Sequence, residues 1–272
     1  MATDSKIQWT DHTWNPWHGC KKVSPGCKYC YMYRDKERYN QDPTTVLRSK
    51  SNFNQPLKWN EEGLVFTCSW SDFFIEAADE WRDEAWQIIK QTPHLTYQIL
   101  TKRPERIKGC LPDDWGEGYP NVWLGVSIES QDMTKRIPTL MLVPAKVRFL
   151  SIEPLIGPVS ITNKSINNGY SVPTRIFDGM GAEYTDPGPA FVGVDWVIIG
   201  GESGNVSGKY KFRRCDEDWI RDIIDECQAS IVPVFVKQLG TSIARLWGTV
   251  DRHGGDVEEW PEYLQIREFP TV

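Results

Sequence analysis

The chain has 272 residues and a formal net charge of −6, and it is long enough to bury the core of one large α/β domain. Hydrophobic residues make up 40% and charged residues 25% of the sequence, as is usual for soluble globular proteins. The acidic balance is untypical of a protein that binds nucleic acid over its whole surface. The N-terminus lacks a secretory apolar run, and no stretch approaches the ~18 apolar residues that span a bilayer. We therefore expect a cytoplasmic protein without a membrane partner.

Six short apolar runs, rich in β-branched and aromatic residues, alternate with helical patterns along the chain. The runs cover residues 64–68, 97–100, 122–126, 147–150, 196–199 and 232–236. Residues 79–92 and 216–228 have apolar side chains on one helical face, and 130–142 is also predicted as a helix, in which Pro138 starts a new turn or a kink. This alternation indicates parallel strands joined by helical crossovers, in either a barrel or an open sheet.

One segment interrupts the alternation of strands and helices. Residues 157–193 are rich in Gly, Pro and Asn and show little periodicity. Long insertions in compact domains are often lids or binding loops, and a surface loop without a role is an equally good interpretation. We predict a single domain over residues 1–272, with 157–193 as a loop, small hairpin or lid over the mouth of the fold.

Polar side chains follow every apolar run. They are Ser69, Ser71 and Asp72, then Lys102 and Arg103, Ser127 and Glu129, Ser151 and Glu153, Glu202 and Ser203, and Lys237 and Gln238. Barrels and open α/β sheets bind ligands at the carboxyl ends of their strands, so this series predicts a rim that binds a polar ligand. Loops are polar in any case. Glu129, Glu153 and Glu202, however, each come just after an apolar run, where a carboxylate is costly unless it is paired or functional.

Three of the seven cysteines lie in one short segment, residues 18–31, which reads HGCKKVSPGCKYCY. Cys20, Cys27 and Cys30 have the spacing C-x6-C-x2-C. In a reducing cytoplasm such a group is more typical of metal or redox chemistry than of disulfides. Three thiolates can hold a [4Fe-4S] cluster, in which one of the four irons then remains open to another ligand.

A zinc site is the alternative interpretation of the same segment. His18 together with Cys20, Cys27 and Cys30 can provide four tetrahedral ligands, and the protein is then a non-enzymatic module that binds nucleic acid or another protein. The position of the segment, ahead of a β/α series, favours the cluster, because closed zinc sites more often stabilise small domains. The other cysteines are scattered singly and are predicted to be core or surface thiols: Cys68, Cys110, Cys215 and Cys227.

The run CKYC at residues 27–30 resembles half of the signature of the radical S-adenosylmethionine (SAM) superfamily. Tyr29 is at the position where that superfamily places an aromatic ring near the adenine, although the first cysteine gap is six residues here instead of three. Further runs are similar to a phage and prophage family of three-cysteine radical-SAM-like proteins, itself distantly similar to spore photoproduct lyase. These runs are WNPW (14–17), NVWLGVS (121–127), FLSIEPL (149–155), DWVIIGGESG (195–204) and FVKQLG (235–240).

The resemblance implies a partial (β/α)6 TIM-like barrel and an enzyme that reductively cleaves SAM. Cys20, Cys27 and Cys30 are then the ligands of the [4Fe-4S] cluster, an external donor such as flavodoxin supplies the electron, and a 5′-deoxyadenosyl radical abstracts hydrogen from the substrate. The phage family and the lyase together imply that the substrate is a modified DNA base, for example an amino-acid-modified thymine that is isomerised. A free nucleotide or a peptide is the alternative substrate.

Site roles follow from the resemblance and from the polar strand ends. The residues expected to bind SAM are Tyr29, Ser69, Ser71, Lys102, Ser127 and Glu129. Arg103 is an alternative to Lys102 as the partner of the SAM carboxylate. The residues expected to act on the substrate are Glu202, Lys237 and Glu153.

The cysteine assignment predicts which thiols are needed for iron. Changing Cys20, Cys27 or Cys30 to Ala should each abolish iron loading, because a three-thiolate site has no spare ligand. The quadruple Ala variant of Cys68, Cys110, Cys215 and Cys227 is the control, and it should retain its iron when iron and sulfide are assayed after anaerobic reconstitution. Full iron retention in Cys20→Ala would contradict the spacing.

Overall fold

The computed structural model describes residues 5–161 and 193–271, together with two short strands at 176–177 and 183–184. The strands are β1 (His12–Trp14), β2 (Trp17–His18), β3 (Leu47–Arg48), β4 (Gly63–Thr67), β5 (Leu95–Thr101), β6 (Val122–Ser127), β7 (Val147–Leu155), β8 (Ile176–Phe177), β9 (Glu183–Tyr184), β10 (Trp196–Gly201) and β11 (Val234–Gln238). The α-helices are α1 (Tyr31–Arg38), α2 (Asp79–Gln91), α3 (Pro104–Ile107), α4 (Arg136–Met141), α5 (Glu217–Ala229) and α6 (Gly240–Trp247). Short 3-10 helices cover Pro25–Cys27, Pro56–Lys58, Glu76–Ala78, Lys108–Cys110, Gln131–Lys135, Val257–Glu259 and Glu262–Leu264.

Seven strands form one parallel sheet in the order β1-β4-β5-β6-β7-β10-β11. The sheet curls into a half-barrel with helices on its outer side, which confirms the prediction of a partial TIM-like barrel. Each of the six apolar runs overlaps one of these strands. The seventh strand, β1, is only three residues long and adds to the edge of the sheet beside β4.

The predicted helices are also present, with small differences at their ends. Both ends of α2 and of α5 lie within one residue of the ends of the predicted ranges. The range 130–142 is divided into the 3-10 helix Gln131–Lys135 and α4, in which Pro138 is the third residue. The proline therefore lies in the first turn of a new helix, where the missing N–H costs no hydrogen bond.

Two hydrophobic cores lie on the two faces of the sheet, because successive side chains of a strand point to opposite faces. The outer core packs the strands against the helices, with Ile99 and Val126 opposite Trp86 and Ile137, among others. The inner core fills the concave face with Trp9, Trp123, Val147, Phe149, Trp196, Ile198 and Phe235. We call this inner group the aromatic plug.

The aromatic plug occupies the amino-terminal part of the concave face. Continuing the two-residue alternation from Trp123, Phe149 and Phe235 toward the carboxyl ends brings Ser127, Ser151, Glu153 and Lys237 onto the same face. The concave face therefore changes from aromatic to polar along the strands. Its polar part lies at the carboxyl ends of the strands, which we call the mouth of the half-barrel.

The edge strand β11 is covered by the C-terminal segment of the chain. Phe235 and Arg267 form an antiparallel bridge, and the backbone N–H of Val236 donates to the Ile266 carbonyl at 2.8 Å. The N–H of Glu268 donates to the Val234 carbonyl at 3.0 Å. These bonds occupy backbone groups that an open sheet edge otherwise exposes.

The insertion at 157–193 is described only in part. Strands β8 and β9 pair antiparallel, Ile176 with Tyr184 and Phe177 with Glu183, and most of the remaining segment, with the predicted lid, lies outside the described residues.

In the described part of the chain, no helix has the length and apolar character needed to cross a membrane.

Gly125 on β6 should be sensitive to substitution because it faces the aromatic plug. A Cβ atom at this position would lie 2.4 Å from the Phe149 ring, so Gly125→Ala overpacks the core and should lower the free energy of unfolding by about 1–3 kcal/mol. Gly109→Ala is the control, because nothing lies within 4 Å of its Cβ position. Urea unfolding of both variants measures the difference, and equal stability of the two would contradict this packing.

Candidate functional site

The segment 18–31, which we call the cysteine loop, lies at the carboxyl ends of the parallel strands. It follows β1, and its Gly19 N–H donates to the carbonyl of Trp70, which comes after β4. The hydroxyl of Ser71 donates to the Gly19 carbonyl at 2.6 Å. The three thiols are thus beside the polar end of the concave face.

The six-residue gap between Cys20 and Cys27 is attached to the sheet at three points. Each attachment joins a group of the gap to a side chain that follows a different strand: the Lys21 carbonyl to Arg103 at 2.8 Å, the Ser24 hydroxyl to Glu129 at 2.5 Å, and the Pro25 carbonyl to Arg213 at 2.8 Å. The unusual spacing therefore corresponds to an extended loop that is held along its length.

The central attachment is Glu129, whose side chain is fully buried. Its carboxylate also binds Arg136 at 2.8 Å and Lys102 at 3.2 Å. Burial by itself raises the pKa of Glu129, but Lys102, Arg136 and the Ser24 hydroxyl outweigh burial and hold that pKa below its ordinary value. A Cβ atom on Gly26 would lie 2.3 Å from the Glu129 side chain, so only glycine permits this approach.

A second carboxylate, Glu202 after β10, is held by Arg213. The Arg213 side chain donates to Glu202 at 2.5 Å and 2.8 Å, and its backbone N–H donates at 2.8 Å. The guanidinium carbon of Arg213 also lies 5.4 Å from the centre of the Tyr29 ring, close enough for a cation–π contact. Glu202 thereby positions the arginine that contacts both Pro25 and Tyr29.

The three cysteines are partly buried. Burial, with a further contribution from the Asp72 carboxylate, raises the pKa of Cys20 to about 12, and Arg103 opposes this increase. Burial also raises the pKa of Cys30, which the backbone N–H groups of Tyr33 and Met32 in the first turn of α1 partly offset. A metal centre that binds these thiols must therefore displace their protons.

The donor set fits a [4Fe-4S] cluster in its chemistry. Each thiolate of such a cluster binds its own iron, so the sulfur atoms surround the cluster and need not meet at one point. Cys27 interacts electrostatically with both Cys20 and Cys30, and Arg103 and Lys102 bring positive charge to the same thiols. The three thiols therefore share one neighbourhood in which cations compensate thiolate charge.

His18, the fourth ligand of the alternative zinc site, lies on β2. Its Nδ1 atom is buried and has no hydrogen-bond partner among the described residues, and burial followed by the charge of Lys36 lowers the pKa of the imidazole. Within the part of the chain that the structure describes, no three His, Cys, Asp or Glu side chains are arranged so that they could hold a metal ion.

The polar part of the concave face holds an ion pair and a buried serine. Lys237 on β11 donates to Glu153 on β7 at 2.6 Å, and the two side chains reach each other across β10 where Gly200 leaves room, since a Cβ there would lie 3.0 Å from the Glu153 carboxyl. Ser127 on β6 lies on the same face and is buried. About a fifth of each side chain of the Glu153 and Lys237 pair remains exposed at the mouth.

The structure brings all of the predicted site residues to the mouth, but several of them hold the cysteine loop. Ser71 and Glu129 bind the loop, Ser69 binds Asn15 at 3.0 Å, and Glu202 binds Arg213. Their expected roles toward SAM or substrate stay predictions. Tyr29, Lys102, Glu153 and Lys237 are partly exposed, whereas Ser127 is buried.

Sequence reasoning did not single out four residues that the structure places at the mouth, and it named a fifth, Asp72, only as part of the polar rim. The four are Asn15, Tyr31, Arg136 and Arg213. The hydroxyl of Tyr31 donates to the Ser69 carbonyl and lies within electrostatic range of Cys30 and Glu153. Tyr31 and Asp72 carried a signal in their positions, next to Cys30 and after an apolar run, whereas Arg213 lies in an irregular segment that has no such pattern.

Glu129 should be the most sensitive of the loop contacts to substitution. Glu129→Ala leaves Arg136 buried without its partner and should destabilise the fold by about 3–5 kcal/mol. The folded-state pKa lies below the unfolded value of about 4.3, so the contribution of Glu129 is complete above that pH and is lost as the pH falls through the folded pKa. Urea unfolding at pH 7 and in acid measures both effects.

Glu76→Ala is the matched control for this substitution. Glu76 is an exposed carboxylate, 3.8 Å from Arg106, and exposed pairs contribute less than about 1 kcal/mol. Equal losses of stability at pH 7 in the two variants, or a difference that does not shrink in acid, would contradict the buried network.

The comparisons with known proteins give one match. The model of a family described as a protein of unknown function, DUF5131, matches residues 4–259. Comparison with curated proteins and with solved structures gave no match. Since the family model covers nearly the whole chain, this half-barrel protein belongs to the DUF5131 family.

Proposed function

We propose that this protein is a radical SAM enzyme whose Cys20, Cys27 and Cys30 hold a [4Fe-4S] cluster. The observation that carries the proposal is the attachment of the cysteine loop to three strand ends at the carboxyl mouth of a parallel half-barrel, the end at which β/α barrels bind their ligands. When bound, such a cluster leaves one iron open to the amino and carboxylate groups of SAM and supplies the electron that cleaves SAM to methionine and a 5′-deoxyadenosyl radical. An external donor such as flavodoxin provides that electron.

Two side chains at the mouth are suited to contact SAM. About a fifth of the Lys102 side chain is exposed, beside Glu129. Its ammonium group can pair with the SAM carboxylate. The Ser127 hydroxyl, at the end of β6, can donate to or accept from the ribose or amino group. Tyr29, under the Arg213 guanidinium, is the aromatic ring available to the adenine.

The protein's own contribution is to orient these groups and to keep water away from the reacting atoms. The aromatic plug closes the concave face below Ser127 and Glu153, with Trp196 and Phe149 fully buried. A reactive group generated at the mouth therefore meets no solvent from the amino-terminal side. The Glu153 and Lys237 pair lies further round the rim and is the candidate contact for substrate.

A modified DNA base is the substrate class that the mouth suits best. Glu153 and Lys237 offer an acceptor and a donor to the ammonium and carboxylate groups of an amino-acid-modified thymine. Although the chain carries a net charge of −6, exposed basic side chains from two segments flank the mouth: Lys21, Lys22, Lys28, Lys209, Lys211 and Arg214. Such a local basic rim can bind the phosphates of a duplex from which a base is extruded.

Anaerobic reconstitution with iron and sulfide tests the proposal. We expect brown protein that contains iron and sulfide and that, with dithionite and SAM, forms 5′-deoxyadenosine, detected by mass spectrometry. Duplex DNA with an amino-acid-modified thymine should increase this product more than unmodified duplex or free nucleotide. Lys102→Ala should weaken SAM binding by about 1–3 kcal/mol, the value of a lost charged hydrogen bond, whereas Lys237→Ala should spare SAM binding and reduce turnover.

The control for the cluster is Cys215→Ala, which removes a buried cysteine outside the loop and should keep its iron. Colourless wild-type protein that contains one zinc would refute the proposal and support the alternative, a zinc-stabilised binding module. Weakened SAM binding in Lys237→Ala with unchanged binding in Lys102→Ala would contradict these roles and would assign Lys237, not Lys102, to SAM.

A further inference from the structure

Arg103, the residue after Lys102 at the end of β5, lies directly against the first cysteine of the loop. One terminal nitrogen, Nη1, is 3.9 Å from the Cys20 sulfur and 2.9 Å from the Asp72 carboxylate. The other, Nη2, donates to the Lys21 carbonyl at 2.8 Å. Only 6% of Arg103 is exposed, so most of its donors are used within the protein, unlike those of neighbouring Lys102.

Asp72 fixes the direction in which the Arg103 guanidinium points. Its buried carboxylate also accepts hydrogen bonds from the Thr101 hydroxyl at 2.7 Å and from the backbone N–H groups of Phe74 and Lys102, both at 3.0 Å. Four donors thus saturate the carboxylate and keep it in one orientation. The charged pair is buried on both sides, where loss of either partner is costly.

A cationic N–H group beside a cysteine ligand affects the redox behaviour of an iron–sulfur centre. Reduction adds one negative charge, which is shared by the thiolate sulfurs, and a nearby positive donor stabilises the charge-rich form. Hydrogen bonds to the sulfurs are among the main determinants of such reduction potentials. Arg103 is placed to exert this effect on Cys20.

We propose that Arg103, oriented by Asp72, is a positioning residue that holds Cys20 and makes the bound cluster easier to reduce. The inference rests on the proposed function, because it requires a cluster on Cys20. It assigns to Arg103 a role different from a contact with the SAM carboxylate. The same guanidinium also binds the carbonyl of Lys21, the first residue of the cysteine gap.

The chain contains a matched arginine and cysteine pair outside the site. Arg106 is three residues along from Arg103, its Nη2 lies 3.6 Å from the Cys110 sulfur, and it pairs with the exposed carboxylate Asp79 at 2.7 Å. Arg106→Gln therefore removes an arginine–carboxylate pair, more exposed than that of Arg103, and an arginine–sulfur contact, without touching the cysteine loop. It is the control for Arg103→Gln.

The test is a potentiometric titration of the reconstituted proteins, followed by electron paramagnetic resonance. Arg103→Gln should shift the midpoint potential to a more negative value by about 59 mV or more, a tenfold change in the ratio of reduced to oxidised cluster for one electron. Arg103→Lys keeps the charge and should stay closer to the wild-type potential. Arg106→Gln should match the wild type.

Hydrogen–deuterium exchange on the metal-free proteins tests the loop contacts without iron. Arg103→Gln should increase exchange in the peptide that covers residues 20–27, because the Lys21 carbonyl loses its donor, and Arg106→Gln should not. If Arg103→Gln fails to retain a cluster, the midpoint potential of Arg103→Lys decides. A potential near that of the wild type supports the inference, and a shift of about 59 mV or more overturns it.

The failures of the two proposals are distinguishable. Wild-type protein that binds no iron would overturn the proposed function and with it the redox role of Arg103. A wild-type potential in iron-loaded Arg103→Gln, or unchanged exchange at residues 20–27 in that variant, would overturn the role of Arg103 and leave the proposed function intact.

Discussion

The ion pairing of buried carboxylates at the strand ends is the constraint on which the rest of the mouth depends. Asp72, Glu129 and Glu202 are all buried, and a buried carboxylate that lacks a partner is costly. Each is bound by an arginine: Asp72 by Arg103, Glu129 by Arg136 and Glu202 by Arg213. The same groups then bind the cysteine loop, through Arg103, through Glu129 itself and through Arg213. The requirement that charges be paired therefore also determines where the thiols lie.

The concave face combines two environments within the length of a strand. Large aromatic side chains fill its amino-terminal part, and Trp196 alone contacts the rings of Trp9, Trp123, Phe149 and Phe235. Toward the carboxyl ends the same face continues with glycine, serine and charged residues. At Gly200 the absence of a side chain lets Glu153 and Lys237 meet across β10. The concave face is therefore apolar at the amino ends of its strands and charged at their carboxyl ends.

The distribution of charge around the mouth differs from that of the whole chain. The loop residues Lys21, Lys22 and Lys28 are exposed, and the segment after β10 packs beside them, with Lys209 bound to Glu37 at 2.8 Å. Local potential, and not net charge, guides a charged ligand to a cleft. An acidic protein can therefore present a basic entrance to its site.

The sequence by itself determined six of the seven strands of the parallel sheet, the polar rim and the cysteine motif. Apolar runs such as 122–126 and 196–199 became central strands because a buried parallel strand needs a short continuous apolar run, which is a local property. The polar residues that follow these runs lie at one end of the sheet because all of its strands are parallel. The strand β1 and helix α1 were too short, at three and eight residues, to produce a clear pattern.

Only the tertiary structure decided which side chains hold the cysteine loop and which remain open to a ligand. Glu129 and Ser24 are 105 positions apart, and Arg213 and Pro25 are 188 apart. Such pairs form because the order and curvature of the strands bring distant segments to one rim. A carboxylate after an apolar run is therefore recognisable in the sequence as a group that needs a partner, but the partner depends on strand order and sheet curvature, which no local pattern of residues records.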